Sequence, residues 1–188
     1  MEQKEIVGML EQTGALLTGH FKLRSGLHSN RFFQAALVFQ WPEIAARICA
    51  ELAKSFAGLK VETVISPALG GMLVGYEMAR ALGVKNIFAE KDNDNLVLRR
   101  GFVLRPGEKV VVAEDVITRG GRVQQTIDLA RSFGAEVVGV AVVVDRSGGA
   151  ASFDVPVHSL TKLDLETFEP AACPLCAKNL PLDTPGSK

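Results

Sequence analysis

The chain of 188 residues is short of several things, and each shortage excludes a class of protein. It has three cysteines, too few and too unevenly placed for a disulfide framework. It has no excess of charge, with 21 basic and 21 acidic residues. A balanced chain argues against non-specific nucleic-acid or membrane binding as its main task. No apolar run approaches the roughly 20 residues of a membrane-spanning helix. The polar start, Met1 to Glu5, leads into no signal-type apolar block, so a cytoplasmic chain is expected. Internal repeats and low-complexity linkers are also missing. What remains is ordinary globular composition, 47% hydrophobic and 22% charged, in a chain of single-domain size.

The most informative stretch is Val110-Val111-Val112-Ala113-Glu114-Asp115-Val116-Ile117-Thr118-Arg119-Gly120-Gly121. Its unbroken β-branched run predicts a fully buried parallel strand. Two adjacent carboxylates stand where that strand is expected to end, at the side of an α/β sheet where ligands bind. Burying two neighbouring acids is costly unless a ligand or counter-charge uses them. Thr118, Gly120 and Gly121 then offer a hydroxyl and converging N–H groups at the mouth of a helix, an anion site. Acceptors for sugar hydroxyls thus lie beside donors for a phosphate.

Around this stretch the pattern predicts alternating strands and helices. Residues 3–13 form an amphipathic helix with Ile6, Met9 and Leu10 on one side, stopped at Gly14. Short strands are expected near His20–Leu23, Ser29–Gln34 and Ala36–Phe39. Trp41-Pro42 opens a helix whose Ile44, Ile48, Leu52 and Phe56 face inward. A strand over Thr63–Ser66 runs through Pro67-Ala68-Leu69-Gly70-Gly71 into a helix with Leu73, Tyr76 and Ala79 inward. Asn86–Ala89 is a strand, and residues 90–100 an exposed charged loop or hairpin. A helix with Val123, Ile127 and Ala130 inward ends at Gly134. Glu136–Asp145 is another buried strand, Val155–Leu160 one more, and Asp164–Phe168 a last helical turn. The fold class is therefore α/β: a parallel central sheet flanked by helices, with a small N-terminal hood subdomain. The expected division is hood elements over 1–40, core over 41–165 and a tail over 166–188, in one compact domain, with 183–188 loosely ordered.

The Val110–Gly121 stretch resembles the PRPP-binding signature of type I phosphoribosyltransferases. The N-terminal stretch Gly19–Gln34 and the Arg146 that ends the Val137–Asp145 run resemble orotate phosphoribosyltransferases within that family. The resemblance spans roughly residues 15–147 and implies transfer of the phosphoribosyl group of PRPP to orotate, a step of pyrimidine biosynthesis, with Mg²⁺ as cofactor. It implies that Glu114 and Asp115 hold the ribose hydroxyls, directly or through the waters of Mg²⁺. Val116, Ile117, Thr118, Arg119, Gly120 and Gly121 would complete the PRPP site and cradle its 5′-phosphate. Ala68, Leu69, Gly70 and Gly71 would hold pyrophosphate with Lys91, Arg99 and Arg100. Orotate would be placed by Arg24, Phe32, Phe33, Thr118 and Arg146, one of the two phenylalanines being a candidate for the core. The guanidinium of Arg146 matches a ring carboxylate that purine bases lack. The family usually has lysine at the place of Arg24, and several lysines and a histidine in the 90–100 loop, where Arg99 and Arg100 stand as substitutes. A homodimer with shared active sites is implied as well. The alternatives are a purine phosphoribosyltransferase, which would be indifferent to Arg146, and a non-catalytic PRPP-sensing regulator, which would need a basic face.

Cys173-Pro174-Leu175-Cys176 is half of a tetrahedral zinc set. His28 or His158 would be needed to complete it, or a second pair across a dimer. Two reduced, unliganded thiols are the expectation here.

Overall fold

The computed structural model describes residues 1–23 and 25–185. Arg24 and the last three positions of the tail lie outside the described residues, and with Arg24 its expected place beside the base.

The chain opens with α1 (Gln3–Gln12), then β1 (Leu16–Lys22), β2 (His28–Phe33) and a short helix α2 (Ala36–Phe39). The core follows: α3 (Pro42–Ala53), β3 (Thr63–Pro67), α4 (Gly70–Leu82), β4 (Lys85–Asp92), β5 (Asn95–Leu98), β6 (Lys109–Ile117), α5 (Gly121–Ser132), β7 (Glu136–Asp145) and β8 (Val157–Lys162). The C-terminal segment adds β9 (Thr167–Phe168) and α6 (Pro174–Ala177).

The main sheet has the order β5-β4-β3-β6-β7-β8. All its pairings are parallel except β4–β5, a hairpin at the edge. From β3 the chain moves outward to β4; from β6 it moves the other way to β7 and β8. The chain thus reverses direction between β3 and β6, the place where open α/β sheets bind ligands. The two strands pair from Thr63–Val110 only as far as Ile65–Val112, so a crevice opens beyond.

Successive residues of β6 serve opposite faces, as a strand buried on both sides requires. Val111 and Ala113 join the cluster of α3 and α4, with Ile48, Leu52, Val74 and Met78. Val110 and Val112 join the cluster of α5, with Val123, Ile127 and Ala130. Each fully buried valine contributes about 1.5–3 kcal/mol of transfer free energy, so β6 is the axis of the core.

Four expectations are corrected. Ala36–Phe39 is helical, not a strand, because Val38 and Phe39 reach the core from one turn of helix. On α4 the inward residues besides Ala79 are Gly71, Val74, Gly75 and Met78, while Leu73 and Tyr76 are 53% and 60% exposed. The helix is apolar nearly all round, so apolar spacing could not choose its buried face. Residues 164–168 form no helical turn: β9 pairs antiparallel with β2, making a small sheet β1-β2-β9. The tail, finally, is tied down as far as Asp183, whose N–H donates to the His20 carbonyl and whose carbonyl accepts from the Lys22 N–H. The hood is thus built from both ends of the chain.

Candidate functional site

A cavity of about 610 Å³ lies at the carboxyl end of the sheet, between the β3–α4 turn and the β6–α5 turn. Its lining includes Ala68, Gly70, Glu114, Asp115 and the whole loop from Thr118 to Gly121. The strand β6 runs on past the two acids to Ile117, because Val116 and Ile117 still pair with Val144 and Asp145 of β7. The acids therefore stand in the free flank of a strand that has lost β3 but kept β7.

Glu114 is 7% exposed and Asp115 half-buried. Their hydrogen bonds are local: the Asp115 N–H donates to Glu114 Oε1 at 3.1 Å, and the Val116 N–H to Asp115 Oδ1 at 2.7 Å. Neither carboxylate has an ion-pair partner among the described residues. Burial, and then the neighbouring Asp115 charge, push the Glu114 carboxyl well above its usual range. Burial raises Asp115 as well. Two such acids are an acceptor set waiting for hydroxyls or a cation.

Gly70 and Gly71 make room for them. A Cβ on Gly70 would lie 2.8 Å from Asp115 Oδ2, and one on Gly71 would lie 3.0 Å from both the Ala113 carbonyl and Glu114 Oε1. The turn before them contains a cis Ala68–Leu69 peptide, and the Ala68 N–H donates to the Ala89 carbonyl. On the other side, Thr118 and Arg119 are exposed, and Gly120 caps α5 with φ +78°. A side chain at Gly120 would also strike the Phe153 ring at 2.7 Å. Gly121, Arg122 and Val123, which open α5, line the cavity, and the first turn of a helix has free N–H groups, as an anion site needs.

The predicted residues divide. The Glu114–Gly121 segment, Ala68 and Gly70 come together at the cavity. Leu69 is 83% exposed and does not line it. The three loop cations do not reach it either. Lys91 is exposed on β4, Arg99 pairs with Asp92 at 3.3 Å, and Arg100 forms a two-pronged contact with Glu90 at 2.7 and 3.1 Å. The charged stretch is a hairpin rather than a loose loop, since Ala89–Asp92 pair with Asn95–Leu98. Its tip bends to α5, where Gln125 Nε2 donates to the Asp94 carbonyl. Asp94, Arg122 and Gln125 thereby join the lining. Sequence reasoning missed these three; the only available signal for Arg122 was its place one residue after Gly121.

Phe33 is corrected as a base-stacking residue: it is 5% exposed and part of the core, with no free face. Phe32 is partly exposed and tilts against Phe21 at 5.8 Å. Arg146 follows β7, and its N–H donates to the Ile117 carbonyl, which ties it to the end of β6. Its Nε is buried without a partner, and burial lowers its pKa. Arg146 as a whole is half-buried and does not line the cavity, but a buried Nε with no partner among the described residues is costly and suits an anion.

Comparison with known proteins fits this geometry. Over all 188 residues the chain is 51% identical to the orotate phosphoribosyltransferase of Desulforamulus reducens, covering 98% of that protein. In structure it resembles the orotate phosphoribosyltransferase of Aeropyrum pernix (TM-score 0.69, 25% identity, 84% of this chain and 93% of that one). It also resembles the adenine phosphoribosyltransferase of Rhodothermus marinus (TM-score 0.68, 21% identity, 86% and 100%), so the fold is shared by enzymes named for different bases. The family model for the phosphoribosyl transferase domain matches residues 38–171, from α2 through the whole sheet to the C-terminal segment, and the chain belongs to that family.

Proposed function

We propose that the protein transfers the phosphoribosyl group of PRPP to orotate, giving orotidine 5′-monophosphate and pyrophosphate. The observation that carries the reading is that acids and a guanidinium nitrogen, unpaired among the described residues, stand at the same end of the sheet, the acids in the cavity and Arg146 beside it at the end of β6. Among the described residues Glu114 and Asp115 are acceptors without a cation, and Arg146 Nε is a buried donor without an acceptor. A phosphorylated sugar and a carboxylated base would satisfy both. The full-length similarity to an orotate enzyme supports the choice of base.

In this reading the Thr118–Gly121 turn and the start of α5 hold the 5′-phosphate. Glu114 and Asp115 orient the ribose hydroxyls, which places the anomeric carbon between the β3–α4 turn and the base. Ala68, Gly70 and Gly71 receive the leaving pyrophosphate, while Arg146 and Phe32 position orotate. The glycosidic C–N bond forms as the bond to pyrophosphate breaks, and the proton of the reacting ring N–H leaves to water or to the departing pyrophosphate. Positioning and charge neutralisation supply the rate. An all-oxygen donor set of two acids suits a hard cation, so Mg²⁺ would be held through PRPP oxygens and waters beside Glu114 and Asp115. When bound it neutralises charge on the leaving group.

Lys91, Arg99 and Arg100 lie outside this chain's cavity, so we assign them to the shared site of a homodimer. Exposed Leu69, Leu73 and Tyr76, spaced along the start of α4, form an apolar stripe suited to such contact. The deciding experiment measures PRPP consumption with Mg²⁺ against orotate, adenine, hypoxanthine and xanthine. Turnover with orotate alone is expected; turnover with a purine and none with orotate would overturn the assignment.

A further inference from the structure

The C-terminal segment from Glu169 to Pro185 has one buried residue among those described, Cys173. It nonetheless folds back onto β1 and β2 and holds a short helix, α6, with almost no apolar core beneath it. A segment of that kind needs a staple.

Four side chains supply one. His20 and His28 are 4% and 5% exposed, Cys173 is buried, and Cys176 lies at the surface beside them. One ligand atom from each lies within 4.8 Å of all the others. His20 Nε2 is 3.0 Å from His28 Nδ1, 3.6 Å from Cys173 Sγ and 3.7 Å from Cys176 Sγ. Cys176 Sγ is 3.3 Å from His28 Nδ1. With Zn–S near 2.3 Å and Zn–N near 2.0–2.1 Å, the edges of a tetrahedral Cys₂His₂ site are about 3.3–3.8 Å. The four separations just given, 3.0–3.7 Å, are already close to those edges, and the other two are within 4.8 Å. The tautomer of His20 agrees. Its Nδ1 lies 2.9 Å from the Leu180 carbonyl, which can only accept, so Nδ1 carries the proton and Nε2 presents its lone pair to the cluster. The strand register agrees too: β1 and β2 slip between Thr18 and Phe21, and this irregularity re-aims His20 toward the C-terminal segment.

We propose that His20, His28, Cys173 and Cys176 bind one zinc ion as a closed structural site that fastens the C-terminal segment to the hood. Both thiols give up their protons on binding, and no coordination position remains for substrate. The expectation of two unliganded thiols is thereby replaced. His158 lies outside the cluster, its ring packed against Phe56 at 5.0 Å. Pooling of two pairs across a dimer is unnecessary, because one chain brings all four ligands. The staple joins positions about 150 residues apart, the long-loop case in which a cross-link restricts the unfolded chain most.

The test uses the full chain, purified without metal-binding tags or chelators. Elemental analysis should find about one zinc per chain, falling to near zero in Cys173→Ser and Cys176→Ser and unchanged in His158→Ala. Replacement by Co²⁺ should give the visible absorption of a tetrahedral thiolate site, a readout on the unmutated protein that does not depend on a variant folding. Chelator should lower the melting temperature by several degrees, with recovery on adding Zn²⁺. Wild-type protein that takes up neither Zn²⁺ nor Co²⁺ at stoichiometric concentration, or that keeps both thiols fully reactive in excess Zn²⁺, would overturn the proposal. None of these outcomes depends on turnover, so they stand apart from the assignment of base.

Discussion

The two ends of β6 carry buried acids that have opposite fates. Glu108, just before the strand, is 2% exposed, and its carboxylate is fully partnered. It accepts from Thr63 Oγ1, from the Arg105 N–H at 3.0 Å and from Arg105 Nε at 3.2 Å, and it pairs with Lys85 at 2.8 Å. Burial alone would raise its pKa, but the hydrogen bonds from Lys85, Thr63 and Arg105 prevail and hold it at about 2. Glu114, at the other end, has similar burial and an acid for a neighbour, and its pKa is raised. Burial of a carboxylate is therefore not the mark of function in this molecule. A buried carboxylate whose charge the fold leaves uncompensated is that mark.

The largest effect expected is on Asp115→Asn, which removes an acceptor from the PRPP site. It should lower kcat/KM for PRPP ~10²–10³-fold, as loss of a preorganised charge contact does, while leaving the melting temperature intact or higher. Steady-state kinetics beside a thermal melt checks both halves. Glu108→Gln should do the reverse, costing about 1.5–3 kcal/mol of stability by weakening the charged hydrogen bonds that the buried carboxylate accepts, with KM for both substrates unchanged in whatever protein remains folded. Denaturant melts of this variant would break the comparison if they matched wild type.

Arg146→Ala should raise the orotate KM about 10–100-fold, the worth of a charged hydrogen bond, and move the PRPP KM far less. Equal changes in both would remove Arg146 from the base subsite. The smallest effect is the pH dependence of the ligand-free protein. Glu108, with its pKa depressed, contributes stability above the ordinary carboxylate range, and this is lost as pH falls toward about 2. Glu114, with its pKa raised, works in the opposite sense: the folded state holds a proton that the unfolded chain releases, so stability falls as pH rises through and above the ordinary carboxylate range. Glu114→Gln should therefore raise the melting temperature at pH 8 by ~2–4 °C for each kcal/mol of relief, and show no gain at pH 4.

Much of the sheet was legible because its strands are written locally. Glu136–Asp145 was predicted with the bounds the structure gives it, since a β-branched run of that length has no other use. The site loop was legible for the same reason: Glu114 to Gly121 is one continuous stretch, so acids, threonine and glycines could be read together. Leu73 and Tyr76 were read inward and stand outward, because α4 is apolar on several sides and only its seat on β3 and β6 selects the buried one. Arg99 and Arg100 read as available cations until Asp92 and Glu90, on the paired strand, were seen to hold them.

The sequence by itself determined the strand-and-helix alternation, the acid pair and the phosphate-type turn, all of which are encoded within a few neighbouring residues. Only the tertiary structure decided that the chain reverses direction between β3 and β6 and so opens a crevice beside those acids. It alone decided that Phe33 is core, and that His20 and His28 meet Cys173 and Cys176. The physical reason is separation along the chain. Local pattern fixes which way a side chain can point, but a metal site or a buried face depends on what distant segment arrives opposite, and packing of the whole chain sets that.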